Sequence, residues 1–384
     1  MKKNFKFILI IFFGYFFINS VAFSETEKLK IGLLIPMTGE DKNLGDLIIK
    51  STRMALEDIK TNDIEILPKD TGSNPEKTLS SARELKNLGI KIVIGPIFYN
   101  SIEYLDELDD ITFISLTNKT INLPKNVISS GINSTSQIKT IKKFIEKNEI
   151  KKTIFLTPKL DYEVEIKKSI KDSKIKLFKH FIYDTEPTKL TKQIEKITNY
   201  KIRKQNLADE IKRVEKSDLV DKEKQLEKLE KKYTIGNVNF DSVIISDFDE
   251  SLKSVITSFL YSDVSPKNKY MITFNQWFDE SLLNETSIQP IYYPSIDMEN
   301  LKDFESKFFK KFNENPNHLS LLSYDLVGLI YYLSLKNELL NLEKLFKKRN
   351  SFKGKVGVFD VEDNKIYHRL NFYEINNKKI IKIF

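Results

Sequence analysis

No cysteine occurs anywhere in the 384 residues. Disulfides, thiolate chemistry and cysteine-built zinc sites are therefore excluded, as is a lipid anchor of the usual cysteine-borne kind. Histidine is nearly as scarce: His180, His318 and His368 are scattered, and none belongs to a metal-spaced pair. Neither a Gly-x-Ser-x-Gly elbow nor a phosphate-cradling glycine loop appears, so no enzyme class, metal or cofactor is indicated. Asp and Glu are plentiful enough to leave a chance carboxylate pair open. Charge of one sign is not in large excess: 62 basic and 54 acidic residues, well mixed, give +8, which is no nucleic-acid footprint.

What remains is an ordinary soluble composition, 40% hydrophobic and 30% charged. The length suits two lobes of roughly 150 residues each. The first residues read differently. Lys2, Lys3 and Lys6 precede a nearly pure apolar run from Phe7 to Ile18, then the small-residue exit Ala22-Phe23-Ser24. That order predicts a cleaved secretory signal peptide over 1–24, with an uncleaved amino-terminal anchor as the rival reading. The run is shorter than the ~20 residues a spanning helix needs, and no later stretch in the body of the chain is long enough.

The rest alternates between two periods. Short apolar strands are predicted at 28–36, 63–68, 90–95, 112–117, 126–130, 152–157, 175–183, 240–246 and 270–274. Helices are predicted from Leu47 to Ile59, from Asn74-Pro75 to Leu88-Gly89, and over 134–148, 161–173, 301–313 and 320–335. Strand and helix in turn predict doubly wound parallel sheets. The last helix is apolar almost all round, hence buried. One segment, 201–232, breaks the rhythm: Lys, Glu, Asp and Arg surround a thin stripe of Ile202, Leu207, Ile211, Val214, Leu219, Leu226 and Leu229. Two charged helices turning near Ser217-Asp218 are predicted, as a solvated decoration or a partner-docking arm. An antiparallel hairpin is predicted at the end, between 352–360 and 365–373 with its turn at 362–364.

Several of these segments together resemble a family. Ile31-Gly-Leu-Leu-Ile-Pro-Met-Thr-Gly39, Leu44-Gly45, Ala55-Leu56, Pro68-Lys-Asp70-Thr-Gly-Ser-Asn-Pro75, Ile94-Gly-Pro96, Tyr324-Asp325 and Phe352-x-Gly354-x-x-Gly357-x-Phe359 resemble, in order and spacing, the type I periplasmic binding proteins of the leucine/isoleucine/valine-binding group. Within that family the likeness is nearest to the penicillin-binding protein activator branch, through the opening stretch, Asp70-Thr-Gly72 and the charged insertion. The resemblance implies two parallel-sheet lobes joined by a hinge. The first lobe would comprise 28–133 and about 250–315; the second 134–249 and about 316–350, with the helical insertion 201–232; a terminal hairpin 351–384 would follow. It implies a periplasmic, non-catalytic binding protein. Its partner would be a peptidoglycan synthase or, alternatively, the permease of an ABC transporter to which it delivers an amino acid or related polar solute. The missing cysteine departs from the lipoproteins of the activator branch.

The resemblance also places a ligand cleft at the strand ends, where backbone N–H groups are free. On the first lobe it would use Tyr99, Asn100 and Ser101, then Ser115, Thr117 and Asn118, a set of hydroxyls and amides suited to a carboxylate. Ser101 reads equally well as a cap of the next helix. On the second lobe it would use Tyr162, beside Asp161 and with Glu163 where the family has Gly, then Asp247 and Trp277 with Asn275 and Gln276. Trp277, the only tryptophan, also reads as a core or rim residue, and Asp70 as a turn former.

Overall fold

A computed structural model describes residues 28–275, 281–335, 350–362 and 365–384. The signal-peptide reading of 1–24, the Trp277 and Gln276 assignments and the tip of the predicted hairpin lie outside the described residues.

Two sheets form, each parallel at its centre and antiparallel at one margin. The first runs β11-β12-β13-β5-β4-β3-β1-β2. Its strands are β1 (Leu29–Ile35), β2 (Ile64–Asp70), β3 (Ile92–Ile94), β4 (Thr112–Ser115), β5 (Val127–Ser129), β11 (Asn350–Lys353), β12 (Val358–Glu362) and β13 (Lys365–Arg369). The second runs β15-β14-β10-β9-β8-β6-β7. Its strands are β6 (Thr153–Pro158), β7 (Lys179–Tyr183), β8 (Ser242–Ile245), β9 (Tyr270–Thr273), β10 (Ile291–Ser295), β14 (Asn371–Asn376) and β15 (Lys379–Lys382).

Continuous apolar runs suit strands covered on both faces. In β1, Leu33 and Ile35 enter one core and Leu34 the opposite one; in β8, Val243 and Ile245 face one core and Ile244 the other. Helix Pro75–Asn87 starts as its sequence predicts, with Asn74 accepting from the Lys77 N–H and proline in the first turn. Helix His318–Leu335 is long and apolar enough to cross a membrane, yet it packs against Lys42–Ile59 in the first core. Within Lys42–Ile59, Gly45 is required by the chain leaving β1, since a Cβ would stand 1.8 Å from the Pro36 carbonyl oxygen.

The lobe boundaries differ from those predicted. β9 and β10 belong to the second sheet, so most of 250–315 lies in the second lobe, whereas His318–Leu335 builds the first. The terminal hairpin is also revised. β11, β12 and β13 form an antiparallel margin of the first sheet, while β14 pairs with β10 in the second. Local periodicity identifies a strand but carries no information on which distant strand it joins. The chain thus passes between lobes three times, at 130–133, at 296–297 and at Leu370.

Those crossings are tied together. Asn133 donates to the Ile366 carbonyl at 2.8 Å, and the His368 N–H donates to Ser136 Oγ at 3.0 Å. At the second crossing, Asp297 accepts from Asn371 Nδ2 and Lys382 Nζ, each at 3.1 Å, and Tyr373 donates to the Ile296 carbonyl at 3.1 Å.

Helices Tyr200–Glu215 and Lys222–Glu230 form the charged arm. Leu207, Val214 and Leu229 bury against Ile211 and Leu226. The stripe is narrower than predicted, because Ile202 and Leu219 are 62% and 41% exposed. The buried guanidinium of Arg203 anchors the base, donating to the carbonyls of Gly236, Ser262 and Asp263 at 3.0–3.1 Å and to Thr234 Oγ1 at 2.7 Å.

Candidate functional site

In open parallel sheets, free amides gather beyond the carboxyl ends of the strands. On the first lobe these ends carry a fixed scaffold. The Asp70 carboxylate accepts from the Met37 N–H at 2.7 Å, Thr38 Oγ1 at 2.6 Å, the Gly72 N–H at 2.9 Å and Lys77 Nζ at 2.5 Å. Partial burial works to raise its pKa, but these donors together hold it well below the usual carboxylate range. Asp70 is thus a turn former that joins the loops after β1 and β2.

Ser115 Oγ donates to the Pro96 carbonyl at 2.6 Å and accepts from the Thr117 N–H at 3.2 Å. It therefore fastens the loop after β3 to the loop after β4. Thr117 is buried, and its hydroxyl oxygen accepts from the Lys119 N–H at 3.3 Å; Asn118 is exposed. The Lys119 ammonium sits 4.3 Å from the Tyr99 ring centroid, and Tyr99 reaches the Asn122 carbonyl at 3.4 Å. Ser101 is buried, and its hydroxyl has no hydrogen-bond partner, so it does not cap the short turn Asn100–Ile102. An unpaired buried hydroxyl costs on the order of 1–3 kcal/mol.

On the second lobe, Tyr162 donates to the Ser246 carbonyl at 3.2 Å. Asp247 is buried; it accepts from the Tyr183 hydroxyl and, at 2.9 Å, from the Phe248 N–H. Burial pushes the Asp247 carboxyl and both tyrosine hydroxyls upward. Glu163 pairs with Lys167 along its own helix at 2.5 Å. The Asn275 N–H donates to Gln137 Oε1 at 2.7 Å, while its buried amide Nδ2 lacks a partner.

The predicted residues therefore form two sets, Tyr99 to Asn118 on one lobe and Tyr162 with Asp247 on the other. A bond between two residues absent from the prediction links the lobes beside them. Glu165, in helix Glu163–Ser173, accepts through Oε1 from the Thr120 N–H at 2.7 Å and from Thr120 Oγ1 at 3.0 Å. Burial raises its pKa against the pull of Thr120, Lys119 and Lys168. An N–H and a hydroxyl converging in this way would suit a ligand's carboxylate; here they belong to Thr120, outside the predicted set, and are met by the protein's own side chain. Among 54 acidic residues nothing in the sequence distinguishes Glu165. Hollows among the described residues lie elsewhere, beside β7, below β4 and β5, and at the base of the arm.

Residues 28–202 match the family model described as periplasmic binding protein, and over the whole described chain the fold is the two-lobed one of the type I periplasmic binding proteins. Among solved structures, the carboxy-terminal domain of LpoA from Haemophilus influenzae, a regulator of PBP1A, is similar with a TM-score of 0.62 and 13% identity, covering 92% of this chain and 100% of that domain. The leucine-binding protein LivK of Thermotoga maritima gives 0.55 at 12% identity, covering 93% of this chain and 98% of its own. LivJ of Streptococcus pneumoniae, solved with isoleucine, gives 0.51 at 18% identity, covering 93% and 100%. No curated protein sequence matches the chain.

Proposed function

We propose that this chain is a non-catalytic periplasmic module that regulates a peptidoglycan synthase, in the manner of the penicillin-binding protein activators. The observation that carries this reading is the bond between Glu165 and Thr120. A transport receptor must leave its carboxylate clamp open to solute, whereas a module that works through its surface can fill the clamp from within. The likeness to the LpoA domain over that domain's whole length supports the same reading. So does the arm, whose turn presents Leu219 and a wholly exposed Val220 to solvent. The test is capture of a purified peptidoglycan synthase ectodomain by the immobilised protein. Binding by the wild type and its loss in Leu219→Asp with Val220→Asp, at unchanged melting temperature, supports the reading; equal capture by both overturns the role of the arm, and no capture overturns the function.

A second reading, a receptor delivering a small polar solute to an ABC permease, is favoured by the unpartnered Ser101 hydroxyl and Asn275 amide. Both are buried donors that a solute could satisfy. A ligand that binds only the folded state must stabilise it. A rise of several degrees in melting temperature with a single amino acid favours the receptor.

A further inference from the structure

β7 is an edge strand whose outer side is furnished as a groove. It is bonded to β6 alone. The Phe178 N–H donates to the Thr153 carbonyl at 2.8 Å. Successive residues of a ladder turn their backbone groups to opposite sides, so Lys179 and Phe181 direct theirs away from β6. Two of the other margins are blunted. β2 carries Pro68, which has no N–H to offer, and β15 is a four-residue strand with Lys379 and Lys382 at its ends. β7 has no proline, and helix Pro187–Ile197 walls its open side to leave a hollow.

The hollow is apolar below and basic above. Ile154, Phe181, Ile197 and Phe240 line it, and Phe178 stands 39% exposed at the rim. The ammonium groups of Lys152 and Lys179 lie 5.5 and 5.7 Å from the Phe178 ring centroid, and Lys196 borders the helix side. Among the described residues these three cations have no carboxylate partner; Lys152 bonds Asn239 Oδ1 at 2.5 Å. A surface with unpaired strand amides, an apolar slot and uncompensated positive charge selects an extended chain with acidic residues flanking a bulky apolar one.

We propose that the β7 groove binds an extended acidic segment of a partner protein by adding it to the second sheet as a further strand. This does not depend on the regulatory reading, since a transport receptor would carry the same edge equally well. The probe is a short fluorescein-labelled peptide alternating Glu with Val and Leu, titrated by fluorescence anisotropy against the full chain. The wild type is expected to bind it saturably. A peptide of the same sequence N-methylated at alternate amides, and the protein variant Lys179→Glu with Lys196→Glu, should each weaken binding about tenfold or more, which corresponds to ~1.4 kcal/mol. Both substituted side chains are exposed, so the variant should keep its melting temperature. No saturable binding by the wild type overturns the proposal, as does equal affinity for the methylated peptide. Self-association through this edge, seen by sedimentation and abolished in the variant, assigns the groove to a second copy and overturns it as well.

Discussion

Gly354 and Asp325 stand so close that a Cβ on the glycine would lie 2.3 Å from an oxygen of the carboxylate. The carboxylate, buried in the middle of helix His318–Leu335, accepts from the N–H groups of Lys355 and Val356, both at 2.7 Å. The two sequence signatures Tyr324-Asp325 and Phe352-x-Gly354 are thus halves of one contact. Asp325→Asn turns an amide donor toward one of those N–H groups, leaving buried donors opposed. A loss of roughly 2–3 kcal/mol is expected by denaturant unfolding. Gly354→Ala should be destabilising too, by displacing the turn. Wild-type stability in both would deny the contact its importance.

Glu165 sets a second expectation. Removing its carboxylate in Glu165→Ala frees the Thr120 N–H and hydroxyl and cuts a bond between the lobes. Small-angle scattering should then report a larger radius of gyration. Glu165→Gln keeps an acceptor oxygen at the same place and should scatter like wild type. If alanine leaves the radius unchanged, the bond does not hold the lobes.

His368 predicts a pH dependence. Its ring is wholly buried, Nε2 sits 2.8 Å from the Ser130 carbonyl and therefore carries the proton, and Nδ1 has no partner. Burial holds its pKa at about 4, against 6.5 for a free ring, with the Ser130 bond opposing. The folded state stays neutral while the unfolded chain takes up a proton, so the stability is complete above pH 6.5 and is lost as pH falls toward 4. By pH 5 the loss is about 2 kcal/mol. Burial holds His318 at about 4 with the same sign; Asp325, raised by burial to about 6, runs the other way and gains stability as pH falls. The difference between wild type and His368→Gln isolates the histidine, because the glutamine amide can still donate to Ser130. Parallel stability curves for the two would refute the assignment.

Arg203 is the weakest point of the arm to disturb. Arg203→Met leaves three carbonyls and a hydroxyl without their donor at the foot of the helix pair. Hydrogen exchange should quicken over 200–236, with a global loss of order 2–4 kcal/mol. Uniform exchange relative to wild type would show that the arm is held by other means.

Much of the fold was legible because strand and helix periods are local properties. The strands from β1 to β9 fall on the predicted runs, with β2 ending two residues and β6 one residue beyond them, and the charged helix pair lies where its composition put it. Helices Pro187–Ile197 and Asp249–Tyr261 and strand β10 were not read: both helices do carry apolar residues at helical spacing, Leu190, Ile194 and Ile197 in one and Leu252, Val255, Ile256 and Phe259 in the other, whereas Tyr292, Tyr293 and Pro294 give β10 no alternation. Lobe membership was illegible for a different reason: β10 meets β14, whose residues lie some eighty positions later, and no local pattern encodes that partner. At the site, Ser115 ends β4 and Thr117 follows it in the next loop, but the bonds they make there arise from atoms brought together only by folding. Glu165 is the extreme case, a residue defined wholly by what it meets across the cleft.

The passage from β13 to β14 through the single residue Leu370 has a consequence for biogenesis. Each sheet recruits strands from the last segment of the chain, so neither half can close its hydrogen-bonded margin while that segment is still inside a ribosome or translocation channel. Both halves mature late, the first after synthesis has passed residue 369 and the second after residue 382, and a chain cut short before β13 would leave two unfinished sheets rather than one.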